Sequence, residues 1–215
     1  MKKIIKICLI RHGETDWNRA GRMQGQTNTP LNANGILQAE LTAKSIQKTG
    51  HLFNAIFTSD LMRAYHTAEI IGNHLGLSPI KMTLLKERHV GALQGLLTSE
   101  ASEVKPDIWK AHTARQLDHD LDGGESITTF SNRVSESLNT ILKKNLGQSI
   151  LVISHGGVLD MLYRIVMQQK LTEKRKSIVP NTSLNWISYD GAQWSIDKWA
   201  DVSHLPKESL DSPDF

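Results

Sequence analysis

The amino-acid sequence predicts an α/β fold, a three-layer α/β/α sandwich with a mainly parallel central sheet and an antiparallel edge strand. Three apolar runs rich in β-branched residues predict buried strands, at residues 4–10, 54–59 and 149–153. Nearly continuous apolar character is typical of parallel strands covered on both faces, and a helical pattern follows each run. Near the C-terminus, Asp190-Gly191 separates two strand-like runs and predicts an antiparallel hairpin.

Apolar residues at helical spacing predict the outer layers of the sandwich. The patterns cover residues 36–47, 60–75, 127–142 and 158–168. The first helix is expected to begin near a capping Asn32 or Asn34, and the second near Ser59 or Asp60. Residues 79–85 predict a strand biased to the edge of the sheet, and the polar, glycine-punctuated segment 16–29 predicts a loop.

A length of 215 residues suits one domain with a substantial core. We assign residues 1–205 to this domain, with a small cap insertion around residues 98–122, and residues 206–215 to a flexible tail. The insertion carries His112, His119 and an acidic run, but their spacing fits no metal-binding motif, so a solvated insertion is the preferred interpretation. The sequence leaves monomer and homodimer equally open.

Charge and composition disfavour several classes of protein. The net charge is only +3 with histidines neutral, and no dense basic stripe is interleaved with aromatic residues, so nucleic-acid binding is not expected. The single cysteine, Cys8, cannot form an internal disulfide, which fits a cytoplasmic location. Membrane association is not expected either, since no apolar stretch approaches the roughly 20 residues that cross a bilayer.

Cationic and imidazole side chains follow the predicted strands. Arg11 and His12 follow the first strand, and His155 follows the strand at 149–153. Ligands bind at the carboxyl ends of strands in open α/β sheets, so these side chains are expected to converge. Arg63 lies in the first turn of a predicted helix, where a cation is better explained if an anion binds there. Because arginine binds phosphate through two N–H groups and imidazole is a competent nucleophile, this set suits a phosphoryl group.

Five motifs, in register over most of the chain, together resemble the histidine phosphatase superfamily, the phosphoglycerate-mutase-like enzymes. They are Arg11-His12-Gly13-Glu14-Thr15 with Asn18, Ser59-Asp60-Leu61-Met62-Arg63-Ala64 with Thr67-Ala68, Glu87, Gly124-Glu125-Ser126, and Ser154-His155-Gly156-Gly157. The resemblance implies that His12 is the nucleophile and Glu87 the general acid. It implies that Arg11, Arg63 and His155 bind the phosphoryl oxygens. The substrate-binding candidates are Asn18, Gly13, Thr15, Gln24, Gly25, Gly156, Asn181 and Thr182. Without the resemblance, Glu87 would be interpreted as a surface ion pair with Lys86 or Arg88.

The function that the resemblance implies is a phosphomonoester hydrolase acting through a phosphohistidine on a small phosphorylated metabolite, with no metal and no cofactor. Two alternatives stay open, a phosphoglycerate mutase and a catalytically weak regulatory module that binds phosphate. Gln94 resembles the mutases, because many phosphatases of the family carry Glu there. The insertion at 98–122 is much shorter than the cap of the mutases, and it offers a single Arg115 where they place adjacent arginines. We therefore expect net hydrolysis, of a substrate that the sequence does not identify.

Overall fold

A six-stranded mixed sheet forms the centre of the molecule in the computed structural model, which describes residues 3–176 and 178–209. The strands are β1 (Ile5–Arg11), β2 (Ala55–Thr58), β3 (Pro79–Lys81), β4 (Ser149–Ser154), β5 (Leu184–Tyr189) and β6 (Trp194–Asp201). Their order across the sheet is β3-β2-β4-β1-β5-β6. The first four strands in this order pair in parallel, and β5 and β6 add antiparallel. The predicted parallel sheet with antiparallel edge structure is confirmed.

Seven α-helices in the described part of the chain cover the sheet. They are α1 (Asp16–Arg19), α2 (Ala33–Lys48), α3 (Met62–Leu75), α4 (Ala101–Val104), α5 (Pro106–Thr113), α6 (Ile127–Asn145) and α7 (Gly156–Met167). Alternation along β1 divides the core between two faces. Ile7 and Leu9 pack in the cluster that includes α6 and α7, whereas Cys8 and Ile10 pack in the cluster that includes α2 and α3. The predicted three layers follow from this division.

Helix starts agree with the sequence in one case and differ in another. Asn32 caps α2, and its side chain accepts a hydrogen bond from the backbone N–H of Gly35. The prediction that Ser59 or Asp60 caps α3 was wrong, since the cap position is Leu61 and no side chain caps the helix. The Ser59 hydroxyl instead accepts from the backbone N–H of Leu61 and contacts a histidine of the candidate site.

The segment 79–85 is less regular than predicted, and the segment 16–29 is more regular. The strand expected over 79–85 ends at Lys81, and Thr83–Leu85 forms a 3₁₀ turn that leads into Glu87. The segment 16–29, predicted as a loop, contains the one-turn helix α1. Thr15 caps this helix in a reciprocal capping box with Asn18.

Residues 98–122, predicted as a cap insertion, contain the two short helices α4 and α5, which share a small apolar cluster with Val90 and Leu93 of the preceding segment. At the other end of the described chain, residues predicted to be part of a flexible tail form a 3₁₀ turn, Lys207–Ser209. Ser209 is buried, and its carbonyl accepts a hydrogen bond of 2.7 Å from Gln38 Nε2 of α2. The rest of the predicted tail, 210–215, lies outside the described residues. Within the described ranges, no helix is long and apolar enough to cross a membrane.

Candidate active site

A cavity of about 460 Å³ opens at the carboxyl edge of the parallel strands. Arg11, at the end of β1, is in register with Ser154, at the end of the neighbouring β4, so the residues that follow both strands emerge side by side. The cavity wall includes Arg11, His12, Arg63 and Glu87. His155 lies behind His12, with the two ring centroids 5.2 Å apart. The sheet topology therefore brings together the five residues proposed for catalysis.

The imidazole of His12 is held in one tautomer. Its Nδ1 lies 2.7 Å from the carbonyl oxygen of Gly13, which can only accept, so Nδ1 carries the proton. The Nε2 atom accepts a hydrogen bond of 3.2 Å from Arg63 Nε. Burial, followed by the charges of Arg63 and Arg11, holds the pKa of His12 well below its usual 6.5. At neutral pH, His12 thus presents an unprotonated Nε2 beside a guanidinium.

Backbone carbonyls fix the two guanidinium groups. Arg63 donates from Nη1 to Thr27 and from Nη2 to Gly25, each at 2.8 Å, and Arg11 donates from Nη1 to Val179 at 2.7 Å. Burial lowers the pKa of Arg63 to about 10, which leaves it cationic at neutral pH. Such fixed charges stabilise a transition state without reorganising.

His155 is buried and neutral. Its Nε2 lies 2.8 Å from the Ser59 hydroxyl, and burial together with the charge of Arg63 lowers its pKa well below 6.5. In the tautomer in which the Ser59 hydroxyl donates to Nε2, the one ring proton is on Nδ1, which then can donate a hydrogen bond without His155 being a cation. Ser59, which the sequence pattern favoured as a helix cap, orients this ring.

The carboxylate of Glu87 lies against the N-terminus of α7. Its Oε2 accepts from the backbone N–H of Gly157 at 2.9 Å, and its Oε1 accepts from the N–H of Arg88 at 2.7 Å. A Cβ at position 157 would overlap Oε1, so a glycine is required for this close approach. Gln26 and Arg133 both donate to the Glu87 carbonyl, which anchors the backbone beneath the side chain.

The substrate-binding candidates divide into two groups. Four of them line the cavity: Asn18, Gln24, Gly25 and Gly156. The other four, Gly13, Thr15, Asn181 and Thr182, are absent from the cavity wall and support it from behind. Asn181 Nδ2 donates to the carbonyl of His12 at 2.7 Å, and the backbone N–H of Thr182 donates to the carbonyl of Arg11 at 2.9 Å. They hold the catalytic end of β1 in place.

Several wall residues have no counterpart among the predicted site residues. Cations contributed by other segments are Arg22, Arg88, Arg115, Lys174 and Arg175, and apolar surface comes from residues such as Trp109 and Phe130. The sequence suggested Arg88 only as an ion-pair partner of Glu87, and Arg115 only as the single arginine of the insertion. Residues 169–176 carry no motif, but their high content of lysine and arginine could have indicated a cationic segment near the site. The structure also places Gln94 outside the wall, where its Oε1 accepts from the backbone N–H of Gln26 at 2.8 Å.

The metal alternative finds no support at His112 and His119. In the described ranges, no group of three or more His, Cys, Asp or Glu side chains could hold a metal ion. His112 lines the cavity beside Trp109, and His119 Nδ1 accepts from the backbone N–H of Leu121.

The sequence profile of the histidine phosphatase superfamily, branch 1, matches residues 7–202. The chain belongs to this superfamily. A metal-independent phosphoserine phosphatase of Arabidopsis thaliana is 39% identical over 94% of this chain and 84% of its own length. A probable phosphoglycerate mutase, GpmB of Serratia proteamaculans, is 33% identical over 97% of this chain and 98% of its own length.

Solved structures agree with this assignment. Bacillus stearothermophilus YhfR superposes with a TM-score of 0.84 at 28% identity, over 93% of this chain and 98% of its own. A variant of phosphoserine phosphatase from Entamoeba histolytica, in complex with phosphoserine, superposes with a TM-score of 0.79 at 27% identity. The match covers 94% of this chain and 100% of that one. The predicted family, fold and enzyme class, a histidine phosphatase, are confirmed.

Proposed function

We propose that this histidine phosphatase hydrolyses phosphomonoesters of small metabolites, with His12 as the phosphorylated residue. The observation that carries the proposal is the state of His12. Its Nε2 is unprotonated, lies beside the Arg63 guanidinium and borders the cavity that also contains Arg11 and Glu87. An in-line attack on phosphorus needs this combination of a free lone pair and fixed positive charge.

The reaction takes place in two steps. In the first, the Nε2 lone pair of His12 forms an N–P bond as the ester P–O bond breaks, and Glu87 in its acid form gives its proton to the departing alkoxide. In the second, a water oxygen attacks phosphorus, the N–P bond breaks, and Glu87 takes the proton of the water. Arg11, Arg63 and His155 stabilise the equatorial oxygens in both steps.

Replacing the nucleophile tests the proposal directly. The His12→Ala variant should lose turnover of p-nitrophenyl phosphate while its thermal unfolding stays cooperative, since the side chain belongs to the cavity wall rather than to the apolar core. Wild-type protein mixed with labelled substrate and denatured in alkali should carry acid-labile phosphate on the peptide that contains His12. His66→Ala, which removes an exposed histidine from α3, is the matched control. Label on another residue, or turnover that survives in His12→Ala, would refute the assignment.

Hydrolysis, rather than transfer to a second acceptor, is favoured by the size of the cap. The insertion offers only α4 and α5, of four and eight residues, to exclude water from a phosphohistidine. The Arabidopsis relative at 39% identity is also named a phosphatase. The alternative is supported by the relatives named as probable phosphoglycerate mutases.

A direct comparison of rates separates the two activities. The protein is given 3-phosphoglycerate with 2,3-bisphosphoglycerate as primer, and isomerisation is compared with phosphate release from a panel of monoesters. Release should be faster for at least one monoester, and isomerisation faster than every hydrolytic rate would overturn the proposal.

A further inference from the structure

The backbone that leads into Glu87 is irregular, and side chains from other elements hold it in place. Residues 84–87 lie at the end of a 3₁₀ turn and belong to no strand. All four of their carbonyls accept hydrogen bonds from side chains. Arg133 donates to three of them, and the Ser154 hydroxyl donates to that of Leu85 at 2.7 Å. Because no ladder or helix fixes this segment, its path depends on these donors.

Every N–H group of the Arg133 guanidinium has an acceptor. Nη1 donates to the carbonyls of Leu84 at 2.9 Å and Lys86 at 2.8 Å, and Nη2 donates to that of Glu87 at 3.2 Å. Nε and Nη2 also donate to the two carboxylate oxygens of Glu125, at 2.7 and 2.6 Å. A guanidinium has five N–H donors in a fixed planar fork, so these contacts use all of them. One rigid group therefore joins three carbonyls of the segment to one carboxylate.

The Glu125 carboxylate holds both the guanidinium and the far end of the same segment. Its Oε2 accepts from the backbone N–H of His89 at 2.9 Å, and its own backbone N–H donates to the His89 carbonyl at 2.8 Å. Burial raises the pKa of Glu125, but the hydrogen bonds from Arg133 and from the His89 N–H lower it by more. Glu125 is therefore ionised at neutral pH, and the ion pair holds residues 84–89 at both ends.

The ion pair is attached to a helix that the core fixes. Arg133 lies on α6, which buries Phe130 in the large apolar cluster, and the guanidinium lies 5.1 Å from the centre of the Phe130 ring. Arg133 and Glu125 both lie outside the cavity wall, so any effect of Arg133 on the reaction is indirect. Its two routes are the backbone of Glu87 and its charge, which contributes after burial and nearer cations to the lowered pKa of His155.

We propose that Arg133 is a positioning residue for the general acid, because its guanidinium fixes the backbone from which the Glu87 carboxyl group reaches the leaving oxygen. The carboxylate accepts from the N–H groups of both Arg88 and Gly157, which requires the backbone at Glu87 to keep its path. A displacement of about 1 Å in a catalytic group can cost about 10²-fold in rate. This inference rests on the proposed phosphatase activity and adds to it a residue that orients the acid.

The variant Arg133→Lys tests the proposal while keeping a cation beside Glu125. A lysine has three N–H donors on a flexible stem, so it cannot replace the five contacts of the planar fork. The kcat/KM for the alkyl phosphate that the wild type hydrolyses fastest should fall by roughly tenfold or more. That for p-nitrophenyl phosphate should fall by less than about threefold, because its leaving group needs no proton and kcat/KM reports only the steps up to the phosphohistidine. Both values come from the same folded protein, so a lower stability of the variant does not change their ratio.

A double-mutant cycle separates the positioning of Glu87 from an effect of the Arg133 charge. In Glu87→Gln the acid is already lost, so adding Arg133→Lys should lower kcat/KM for the alkyl phosphate by less than about threefold. A loss of roughly tenfold or more in both backgrounds would mean that Arg133 acts independently of Glu87, and would overturn the proposal.

An exposed basic residue on the same helix supplies the control. Lys144→Gln, near the C-terminus of α6, should leave both kcat/KM values unchanged. Equal losses for the two substrates in Arg133→Lys, or no loss for either, would overturn the positioning role while leaving the phosphatase proposal intact. Failure of the wild type to hydrolyse any alkyl phosphate would instead refute the proposed function.

Discussion

A single proton decides whether His12 can attack phosphorus. The Gly13 carbonyl keeps that proton on Nδ1, and the Arg63 N–H excludes a second proton from Nε2 because two donors cannot face each other. The sequence motif could indicate which histidine and arginine belong together. It could not give the tautomer, which depends on the path of the backbone at Gly13.

The role of Glu87 is testable at the same scale. Glu87→Gln should lower kcat/KM for alkyl phosphates by roughly 10²–10⁴-fold, because the alkoxide then leaves without a proton. Hydrolysis of p-nitrophenyl phosphate, whose leaving group needs no proton, should fall by less than about tenfold in the first step. Steady-state and burst kinetics on both substrates provide the measurement. An equal loss for both would assign Glu87 a structural role, holding Gly157 and Arg88.

Several cations of the cavity wall could not be assigned to the site from the sequence. Lys174 and Arg175 follow no strand and belong to no motif, and they line the cavity on a loop that contacts the insertion through the hydrogen bond from Arg115 to the Leu171 carbonyl. The ion pair of Asp160 with Arg164 is different, because its i,i+4 spacing on the predicted helix α7 is readable from the sequence. The positions of Lys174 and Arg175 depend on tertiary structure, so composition and spacing do not predict them.

At the scale of elements, the long helices and strands were predicted well from their apolar periodicity. The residues at which some of them begin or end were not. The strands β1, β2 and β4 and the helices α2, α6 and α7 lie where apolar periodicity places them. The helix α3 starts later than predicted, at Met62, and the Ser59 hydroxyl contacts the Leu61 N–H and His155 outside the helix. The strand β3 is short because Leu85, predicted within it, turns inward and is buried in the core beside α6. Local propensity is overridden where a tertiary contact competes for the same residue.

Two glycines, on α7 and α3, should fail in different ways when a methyl group is added. In Gly157→Ala the new Cβ meets the carboxylate of Glu87, which can rotate away, so activity on alkyl phosphates should fall by roughly tenfold or more at unchanged melting temperature. In Gly72→Ala the Cβ meets the backbone carbonyl of Leu77. A backbone carbonyl cannot rotate away, so the free energy of unfolding should fall by about 1–3 kcal/mol. Kinetics and thermal melts of both variants check the contrast. A large loss of stability in Gly157→Ala would show that the α7 terminus does not adapt.

At the scale of the whole molecule, buried neutral histidines link the site to stability. Burial lowers the pKa of His12 and His155 well below 6.5, and that of His112 to about 4. The unfolded chain, with histidine pKa values near 6.5, takes up protons below that pH that the folded protein does not. The free energy of unfolding should therefore be greatest above pH 6.5 and fall as the pH drops from 6.5 towards 5.

Removing one of these histidines should flatten that dependence. Each contributes a slope of up to about 1.4 kcal/mol per pH unit below pH 6.5, where the unfolded chain is protonated and the folded protein is not. Between pH 6 and pH 5, the free energy of unfolding of His112→Gln should therefore fall less than that of wild type, by up to about 1.4 kcal/mol. This comparison does not depend on the stability of the variant at pH 7.5. Urea titrations at pH 7.5, 6 and 5 provide the measurement. Burial raises the pKa of Glu125, but the hydrogen bonds from Arg133 and the His89 N–H outweigh it, so the pKa is lowered and this carboxylate adds the same sign of dependence, below pH 4.5. A His112→Gln profile parallel to that of wild type from pH 6 to 5 would mean that His112 accepts a proton in the folded protein, and that the cation-rich wall excludes charge less strongly than its geometry implies.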